Sequence, residues 1–209
     1  MILETLVVGP LQVNCYILAS DKDPRAIIID PGAEAEKIKE ALSRHKLNPA
    51  FIINTHGHFD HIGCDNSFSV PVYAHKAEVS LLKEPQLNLS ALFSSPCAVK
   101  SEITALEDKQ RISLGKIELE VIHTPGHTPG GICLFLRNPK KNILFSGDTL
   151  FFQGIGRTDY EGASEQVLLK SIKERLFILP DDTIVYPGHG PSSTIGREKK
   201  ENPFLHNYA

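Results

Sequence analysis

The sequence of 209 residues has no tryptophan, one methionine and four cysteines, and no two of the cysteines form a CxxC pair. Cysteine-rich metal sites and disulfide frameworks both need closely spaced or numerous cysteines, so this composition argues against either and predicts reduced thiols. A long run of basic residues is also missing, and the formal net charge is −3. The chain therefore lacks the electrostatic footprint of a nucleic-acid-binding protein, and no nucleic-acid partner is expected.

Long hydrophobic runs are absent too. No apolar stretch is long enough to span a bilayer, so no membrane partner is expected. The opening segment, MILETLVVGPLQVNCY, lacks a basic n-region and a small-residue cleavage site, and it is typical of a β-strand rather than of a signal peptide. We therefore expect a cytoplasmic protein.

What is present is an ordinary globular composition, with 41% hydrophobic and 22% charged residues. That balance is not typical of disordered or fibrous chains. No Ser/Gly linker or low-complexity tract divides the sequence, so residues 1–209 are predicted to form a single domain.

Strand-like segments followed by helical ones occur in two rounds along the chain. The strand-like segments are LETLVVG, NCYILAS, RAIIID and FIIN in the first half, and RISLGKIELEVIH, GICLFLR, NILFSG and TIVYPG in the second. The apolar periodicity predicts helices over 34–46, 62–69 and 164–177, and over 75–93 with a break near Pro85. This order predicts an α/β (α+β) protein in which two sheets pack face to face with helices outside, a four-layer αβ/βα sandwich.

Four of the apolar strands are followed closely by a side chain that commonly binds metals. These side chains are His56 after FIIN, His127 after LEVIHTP, Asp148 after NILFSG and His189 after TIVYPG. Each has an adjacent glycine, namely Gly57, Gly126, Gly147 and Gly188. Glycine lets the backbone turn tightly and approach a site closely. Because sites are usually built on loops at the ends of a rigid sheet, we expect these four ends to converge.

The segment FIINTHGHFDHIG adds His58, Asp60 and His61 to this set. The resulting five imidazoles and two carboxylates exceed the roughly four ligands that one zinc-type ion needs. A carboxylate can bridge two ions, so Asp148 would let two sites share the set. Imidazole with carboxylate suits Zn, Fe or Mn better than Ca or Mg, which predicts two divalent ions, Zn in the first place. A metal that only stabilises the fold is the plainer alternative, although such sites are usually closed and rich in cysteine.

Four motifs carry a resemblance to a known family. THGHFDH, HTPGHTPGG, FSGDTLF and YPGHG occur in this order, cover most of the chain, and together resemble the metallo-β-lactamase superfamily. Within it the chain is similar to the hydroxyacylglutathione hydrolase (glyoxalase II) group, above all to its short, single-domain bacterial members. The segments LFFQGIGRTDY and TIGREKKENPFL support that subgroup.

The resemblance implies a role for each motif residue. His56, His58 and His127 would bind the first ion, Asp60, His61 and His189 would bind the second, and Asp148 would bridge them together with a water or hydroxide. Asp60 is also the expected catalytic residue, because its carboxylate could accept a hydrogen bond from that water and orient it.

Substrate contacts are expected from two segments. Arg157 and Tyr160 in GRTDY fall near the Lys and Tyr substrate contacts of the family, with a spacing changed by an apparent insertion. Full-length members carry a C-terminal helical domain that supplies basic residues for the glutathione carboxylates, and this chain is expected to lack it. Arg197 and Lys199, with Lys200, could serve as anion contacts instead, and a solvated tail helix is the alternative.

The predicted function is hydrolysis of a small-molecule thioester, such as S-lactoylglutathione, by attack of a metal-bridging hydroxide. One alternative is an Fe(II)-dependent persulfide dioxygenase in which His56, His127 and Asp148 would bind a single iron. Further alternatives are a hydrolase of another ester, a lactone, a β-lactam or a phosphodiester, and a metal-binding module without catalysis.

Overall fold

A computed structural model describes residues 1–93 and 96–206. In this part of the chain there are two six-stranded sheets and one two-stranded sheet. The first sheet, in the spatial order β1 to β6, comprises β1 (Ile2–Val8), β2 (Val13–Ala19), β3 (Arg25–Ile29), β4 (Asn48–Ile53), β5 (Val72–His75) and β6 (Ile103–Leu106). The second half forms β7 (Arg111–Leu114), β8 (Ile117–His123), β9 (Ile132–Leu136), β10 (Ile143–Gly147), β11 (Leu150–Phe151), β12 (Gly154–Ile155), β13 (Ile184–Pro187) and β14 (Ser193–Thr194).

Strand direction decides which loops meet. In the first sheet β3, β4, β5 and β6 run parallel, whereas β1 and β2 are antiparallel to their neighbours. The second sheet has the order β14-β13-β10-β9-β8-β7, and its one parallel pair is β10 with β13. β11 and β12 form the separate two-stranded sheet. Because β10 and β13 are parallel neighbours, the residues that follow Gly147 and Pro187 leave the sheet side by side.

The helices are short and amphipathic. They are α1 (Ala35–Arg44), α2 (Phe59–Ile62), α3 (Val79–Lys83), α4 (Glu165–Ser171), α5 (Ile195–Glu201) and α6 (Pro203–His206), and a π-helical segment, Ile172–Leu176, continues α4. α1 buries Ile38, Ala41 and Leu42 on one face and has Glu36 in its first turn and Arg44 in its last, which complements the helix dipole.

The four-layer sandwich predicted from the sequence is confirmed by how the strands alternate. In β2, Cys15 and Ile17 pack into a core with α1, whereas Tyr16 and Leu18 pack into a second core between the two sheets. In the second sheet, Leu134 faces that shared core, and the opposite face packs against α4 in a third core. Each sheet is thus covered by helices on its outer face and by the other sheet on its inner face.

The helix predicted over 75–93 is formed only in part, and the break predicted near Pro85 is confirmed. β5 ends at His75, and only the short turns Lys76–Glu78, Val79–Lys83 and Ser90–Leu92 are helical. Pro85 disfavours helical backbone at the preceding residue, and Glu84 is extended there with φ −116° and ψ 109°. The helix predicted over 62–69 is also misplaced, because α2 ends at Ile62 and a 3₁₀ turn, Asp65–Ser67, follows.

Glu78 is a fully buried carboxylate that joins the two halves of the chain. Its Oε2 accepts a hydrogen bond from the Gly57 N–H at 2.7 Å, and its Oε1 accepts one from the Gly130 N–H at 2.6 Å. Gly57 follows β4 of the first sheet, and Gly130 lies between β8 and β9 of the second. Burial raises the pKa of the Glu78 carboxyl, against the hydrogen bonds from the Gly130 and Gly57 amides. Such charge-assisted bonds hold the two loops at a fixed separation.

In residues 1–93 and 96–206, none of the helices is both long and apolar enough to cross a membrane.

The Glu78→Ala variant tests the link between the halves. It leaves two buried amides without an acceptor, and since each such loss costs about 1–3 kcal/mol, we expect the free energy of unfolding to fall by about 2–6 kcal/mol in urea titrations. The matched control is Glu36→Ala, whose side chain is 81% exposed and whose loss should change the free energy by less than about 0.5 kcal/mol. Equal, small changes in both variants would mean that water replaces the carboxylate.

Candidate metal centre

Loops that leave four strands bring all seven predicted ligand residues to one place at the edge of the two sheets. The segment after β4, continuing into α2, carries four of them, and the loops after β8, β10 and β13 carry one each. The seven residues are His56, His58, Asp60, His61, His127, Asp148 and His189.

The ligand atoms of these residues form three overlapping groups, and within each group all of them lie within 4.8 Å of one another. The groups are His56, His58 and His127; His56, His61 and Asp148; and Asp60, His61 and His189. Asp148 Oδ1 lies 3.4 Å from His61 Nε2, and Asp148 Oδ2 lies 3.6 Å from His127 Nε2. The Asp148 carboxylate therefore lies between the two outer groups, where a shared ligand would be.

Hydrogen bonds on the outer ring nitrogens orient the imidazoles. Neutral His127 can donate from Nδ1 to the Arg157 carbonyl at 2.7 Å, and neutral His189 can donate from Nδ1 to the Leu11 carbonyl at 2.9 Å. In these tautomers the single N–H of each ring points outward, and Nε2 presents a bare lone pair to the cluster. Metal-binding histidines are commonly oriented by outer partners of this kind.

The inner nitrogens face one another at short distances. His58 Nδ1 lies 2.9 Å from His127 Nε2, and His61 Nε2 lies 3.3 Å from His189 Nε2. Converging lone pairs are unfavourable unless a proton or a metal ion lies between them. The facing pairs therefore fit a cation.

Two further atoms lack partners. Across the part of the chain that the structure describes, His56 Nε2 and Asp148 Oδ1 are buried and accept or donate no hydrogen bond. Buried polar atoms without partners cost free energy, so native proteins rarely keep them. Imidazole nitrogen and carboxylate oxygen are ligands for divalent transition metals, and these atoms fit such ions.

The electrostatics of the cluster agree with cation binding. Burial, followed by the neighbouring His127, lowers the pKa of His58 to about 3, so this ring is neutral at pH 7, as a metal ligand must be. Burial alone would also lower the pKa of His61, but Asp148, Asp60 and Asp30 outweigh it and raise that pKa to about 10. The excess of negative charge around His61 favours a positive species at its Nε2.

Asp30 is a supporting residue that the sequence analysis did not identify. It is buried at the end of β3, where its Oδ1 accepts from the Thr55 N–H at 2.7 Å and its Oδ2 from the Thr55 hydroxyl at 2.6 Å. Its Oδ2 also lies 3.0 Å from His61 Nδ1, which can donate to it. A signal was present, because Asp30 follows an apolar strand in the same way as the predicted ligands do.

The loop that carries His189 is fastened to the first sheet. The Tyr16 hydroxyl donates to the Pro187 carbonyl at 2.6 Å, and the Asn14 side chain donates to the same carbonyl at 2.9 Å. The backbone of Val13 also forms an isolated antiparallel bridge with His189. Strand β2 thus holds a residue from the far end of the chain in the cluster.

Glycine at position 188 is required by close approach. A Cβ there would overlap Asp148 Oδ1 and would lie 2.8 Å from His61 Cε1. Gly147 has φ +48°, which L side chains rarely adopt, and a Cβ on it would overlap Thr55. These two glycines agree with the sequence argument that glycine lets backbone approach the site.

The cluster forms the floor of a pocket of about 440 Å³. Two of the predicted substrate contacts, Arg157 and Tyr160, line it, and the Arg157 guanidinium lies 4.7 Å above the Tyr160 ring and pairs with Asp159 at 2.7 Å. Their contact with a substrate stays a prediction.

The other two predicted contacts, Arg197 and Lys199, are not among the residues that line this pocket. Both lie on α5, where Arg197 pairs with Glu201 at 2.9 Å and stacks over Phe152, while the Lys199 ammonium lies next to Asp181 at 2.5 Å. Both side chains therefore contact neighbouring surface residues rather than the pocket. Their placement agrees with the tail-helix alternative.

Comparison with curated proteins gives relatives over nearly the whole chain. A probable metallo-hydrolase, YqgX, from Bacillus subtilis is 38% identical, with 97% of this chain and 96% of that protein covered. The hydroxyacylglutathione hydrolase GloC from Haemophilus influenzae is 36% identical, with 98% of each chain covered.

Solved structures have the same fold. The crystal structure of the BLEG-1 B3 metallo-beta-lactamase superposes with a TM-score of 0.90 at 41% identity, covering 98% of this chain and 100% of that one. The crystal structure of TTHA1623 in a di-iron-bound form superposes with a TM-score of 0.81 at 35% identity, covering 97% and 100%. The family model of the metallo-beta-lactamase superfamily matches residues 8–189, and the chain belongs to that superfamily.

Proposed function

We propose that the protein is a metal-dependent hydrolase that cleaves a small-molecule thioester, of which S-lactoylglutathione is one example. The observation that carries this proposal is the convergence of the seven imidazole and carboxylate ligands, with Asp148 between two groups, at the floor of an open pocket. The name of the Haemophilus influenzae relative, a hydroxyacylglutathione hydrolase, supports this reaction class.

Two divalent ions would share the site. His56, His58 and His127 would hold one, Asp60, His61 and His189 the other, and Asp148 would contact both. When bound, such ions supply Lewis acidity and lower the pKa of a shared water from ~16 toward ~7. Zn is the first choice for this ligand set, with Fe or Mn as alternatives, and the di-iron form of TTHA1623 makes iron a real competitor.

Asp60 is the proposed catalytic residue. Its side chain lines the pocket, and its Oδ2 lies 3.4 Å from His189 Nε2. Burial raises the pKa of Asp60, but His61 and His189 outweigh burial and hold that pKa well below its usual range. A carboxylate that stays ionised at the pocket surface can accept a hydrogen bond from an attacking water and fix its direction.

A thioester suits a site composed in this way. The conjugate acid of a thiolate leaving group has a pKa of ~8.5, so the group departs without a strong general acid. The residues that line the pocket beyond the ligands are mostly apolar, with Arg157 and Tyr160 as polar exceptions. A substrate that needs little protonation of its leaving group fits this lining better than an amide does.

The competing reactions use overlapping parts of the same cluster. A persulfide dioxygenase would need only His56, His127 and Asp148 around one iron, and it would leave Asp60, His61 and His189 without a function. The grouping of those three residues within 4.8 Å therefore favours the two-ion hydrolase. Lactone or β-lactam hydrolysis would use the full cluster. Because the BLEG-1 protein is named a metallo-beta-lactamase, a β-lactam substrate is included in the test below.

Metal analysis paired with turnover tests the proposal. We expect protein purified without added metal to contain close to two transition-metal ions per chain by mass spectrometry, and to hydrolyse S-lactoylglutathione or another member of a thioester panel. One iron per chain with oxygen uptake on glutathione persulfide would favour the dioxygenase. Turnover of a cephalosporin alone would favour a lactamase, and full metal loading without any turnover would revive the metal-binding module.

Replacement of Asp148 by Ala tests the shared ligand. Since both ions would lose a ligand, metal content should fall below two per chain, and kcat should fall by more than the ~10–100-fold typical for loss of a supporting group. Asp182→Ala, at an exposed aspartate, is the control and should keep wild-type values. Full activity with two bound ions in Asp148→Ala would refute the bridging role.

A further inference from the structure

One side of the pocket above the cluster is an apolar wall. We use that name for Leu11, Phe59, Leu89, Leu92, Phe93 and Phe151, all of which line the pocket. Leu92 is 77% exposed and Phe93 is 52% exposed, and the Phe93 ring packs 4.4 Å from the ring of Phe59. Apolar side chains that line a pocket beside a polar floor are typical of a ligand-binding site.

The wall is held in place by polar groups buried beneath it. Asn88 and Ser90 are fully buried, whereas Leu92 and Phe93 are exposed, which reverses the usual distribution. The Phe59 N–H donates to the Asn88 carbonyl at 3.0 Å, and the Cys97 N–H donates to the Ser90 hydroxyl at 2.9 Å. The first bond joins the loop to α2, the helix that carries Asp60 and His61, and the second joins it to the segment at Cys97.

The backbone conformation of Leu89 also indicates that the surrounding structure fixes this loop. Its φ of 69° lies in the left-handed region, which is disfavoured for residues with a Cβ. Such strained residues persist where the surrounding structure fixes them, and they cluster at ligand sites. Leu89 lines the 440 Å³ pocket and also a neighbouring cleft of about 220 Å³.

The site therefore opens into two clefts, which suits a thioester with an acyl arm and a thiol arm. The smaller cleft shares His58, His127 and Tyr160 with the larger pocket, and it adds polar side chains such as Gln86 and Glu161. Among the described residues that line either cleft, Arg157 is the one lysine or arginine, and it pairs with Asp159. Carriers with several carboxylates find little compensating charge here.

We infer that the preferred substrates carry an unbranched apolar acyl chain that packs on the wall formed by Leu11, Phe59, Leu89, Leu92, Phe93 and Phe151. This inference rests on the proposed thioester hydrolysis and narrows it, because it puts short polar acyl groups such as lactoyl among the slower substrates. The wall is continuous with the candidate metal centre, so a chain lying on it would begin at the carbonyl that is attacked.

Chain length is the direct test. Thioesters of N-acetylcysteamine with acetyl, butyryl and hexanoyl groups share one carrier, and kcat/KM should rise about 2–4-fold per methylene that packs on the wall. Over the four methylenes from acetyl to hexanoyl this amounts to about 15- to 250-fold. Binding without turnover is measured in parallel by calorimetry with the uncleavable S-ethyl and S-hexyl thioethers of the same carrier, and the hexyl compound should bind more tightly.

The double variant Leu92→Ser with Phe93→Ser tests the wall itself. We expect the hexanoyl-to-acetyl ratio of kcat/KM to fall at least about 5-fold, with an unchanged metal content. The matched control is Ile178→Ser, because Ile178 is 75% exposed and lies outside both clefts, and its ratio should stay at the wild-type value.

The outcomes separate the two proposals. Flat kcat/KM and flat thioether affinity across the series would overturn the inference while leaving thioester hydrolysis intact. Tighter binding of the hexyl thioether with no hydrolysis of any thioester would support binding of an apolar chain on the wall and would contradict the proposed thioester hydrolysis. An equal loss of the ratio in Ile178→Ser would also overturn the inference, since the effect would then be unspecific.

Discussion

Ring nitrogens and carboxylate oxygens that converge on one another are the constraint on which the rest of this structure depends. His58 and His127 present nitrogen atoms to each other at 2.9 Å, and Asp148 Oδ1 is buried with no described hydrogen-bond partner. Much of the surrounding structure keeps these atoms directed inward. Hydrogen bonds on the outer ring nitrogens orient the imidazoles, and Asp30 can accept such a bond from His61. Gly188 has no side chain that would overlap Asp148, so its backbone can lie close to the cluster. Such an arrangement is understandable in a member of the metallo-beta-lactamase superfamily, because bound divalent cations would satisfy these nitrogen and oxygen atoms.

The parts of the fold that were predictable from the sequence are those with a strong local signal. β2 alternates between two cores, β10 is buried throughout, and each ligand-bearing loop has a histidine or aspartate next to a glycine. These patterns were enough to predict the layers and to name residues such as His56 and His189, which are separated widely in sequence and lie in one cluster. The pattern was informative because strands of two sheets end at the same edge.

The parts that were missed depend on tertiary contacts. β5 and β6 have four residues each, too few to show alternation, and their pairing comes from parallel neighbours rather than from a turn. The loop after Pro85 buries Asn88 and exposes Phe93, so its apolar residues follow the pocket and not a helical period. The direction of a long side chain such as Lys199 is decided by the partner it finds, here Asp181, which no spacing in the sequence reveals.

The attachment of the His189 loop to β2 has a consequence for how the chain can be divided. Although the first six strands form one sheet and Pro187 belongs to the other six-stranded sheet, Tyr16 and Asn14 reach across to the Pro187 carbonyl. A gene split at the junction between the sheets would give two fragments that each hold an incomplete ligand set. Function would return only when the fragments reassociate, because the boundary between the sheets divides the ligand set.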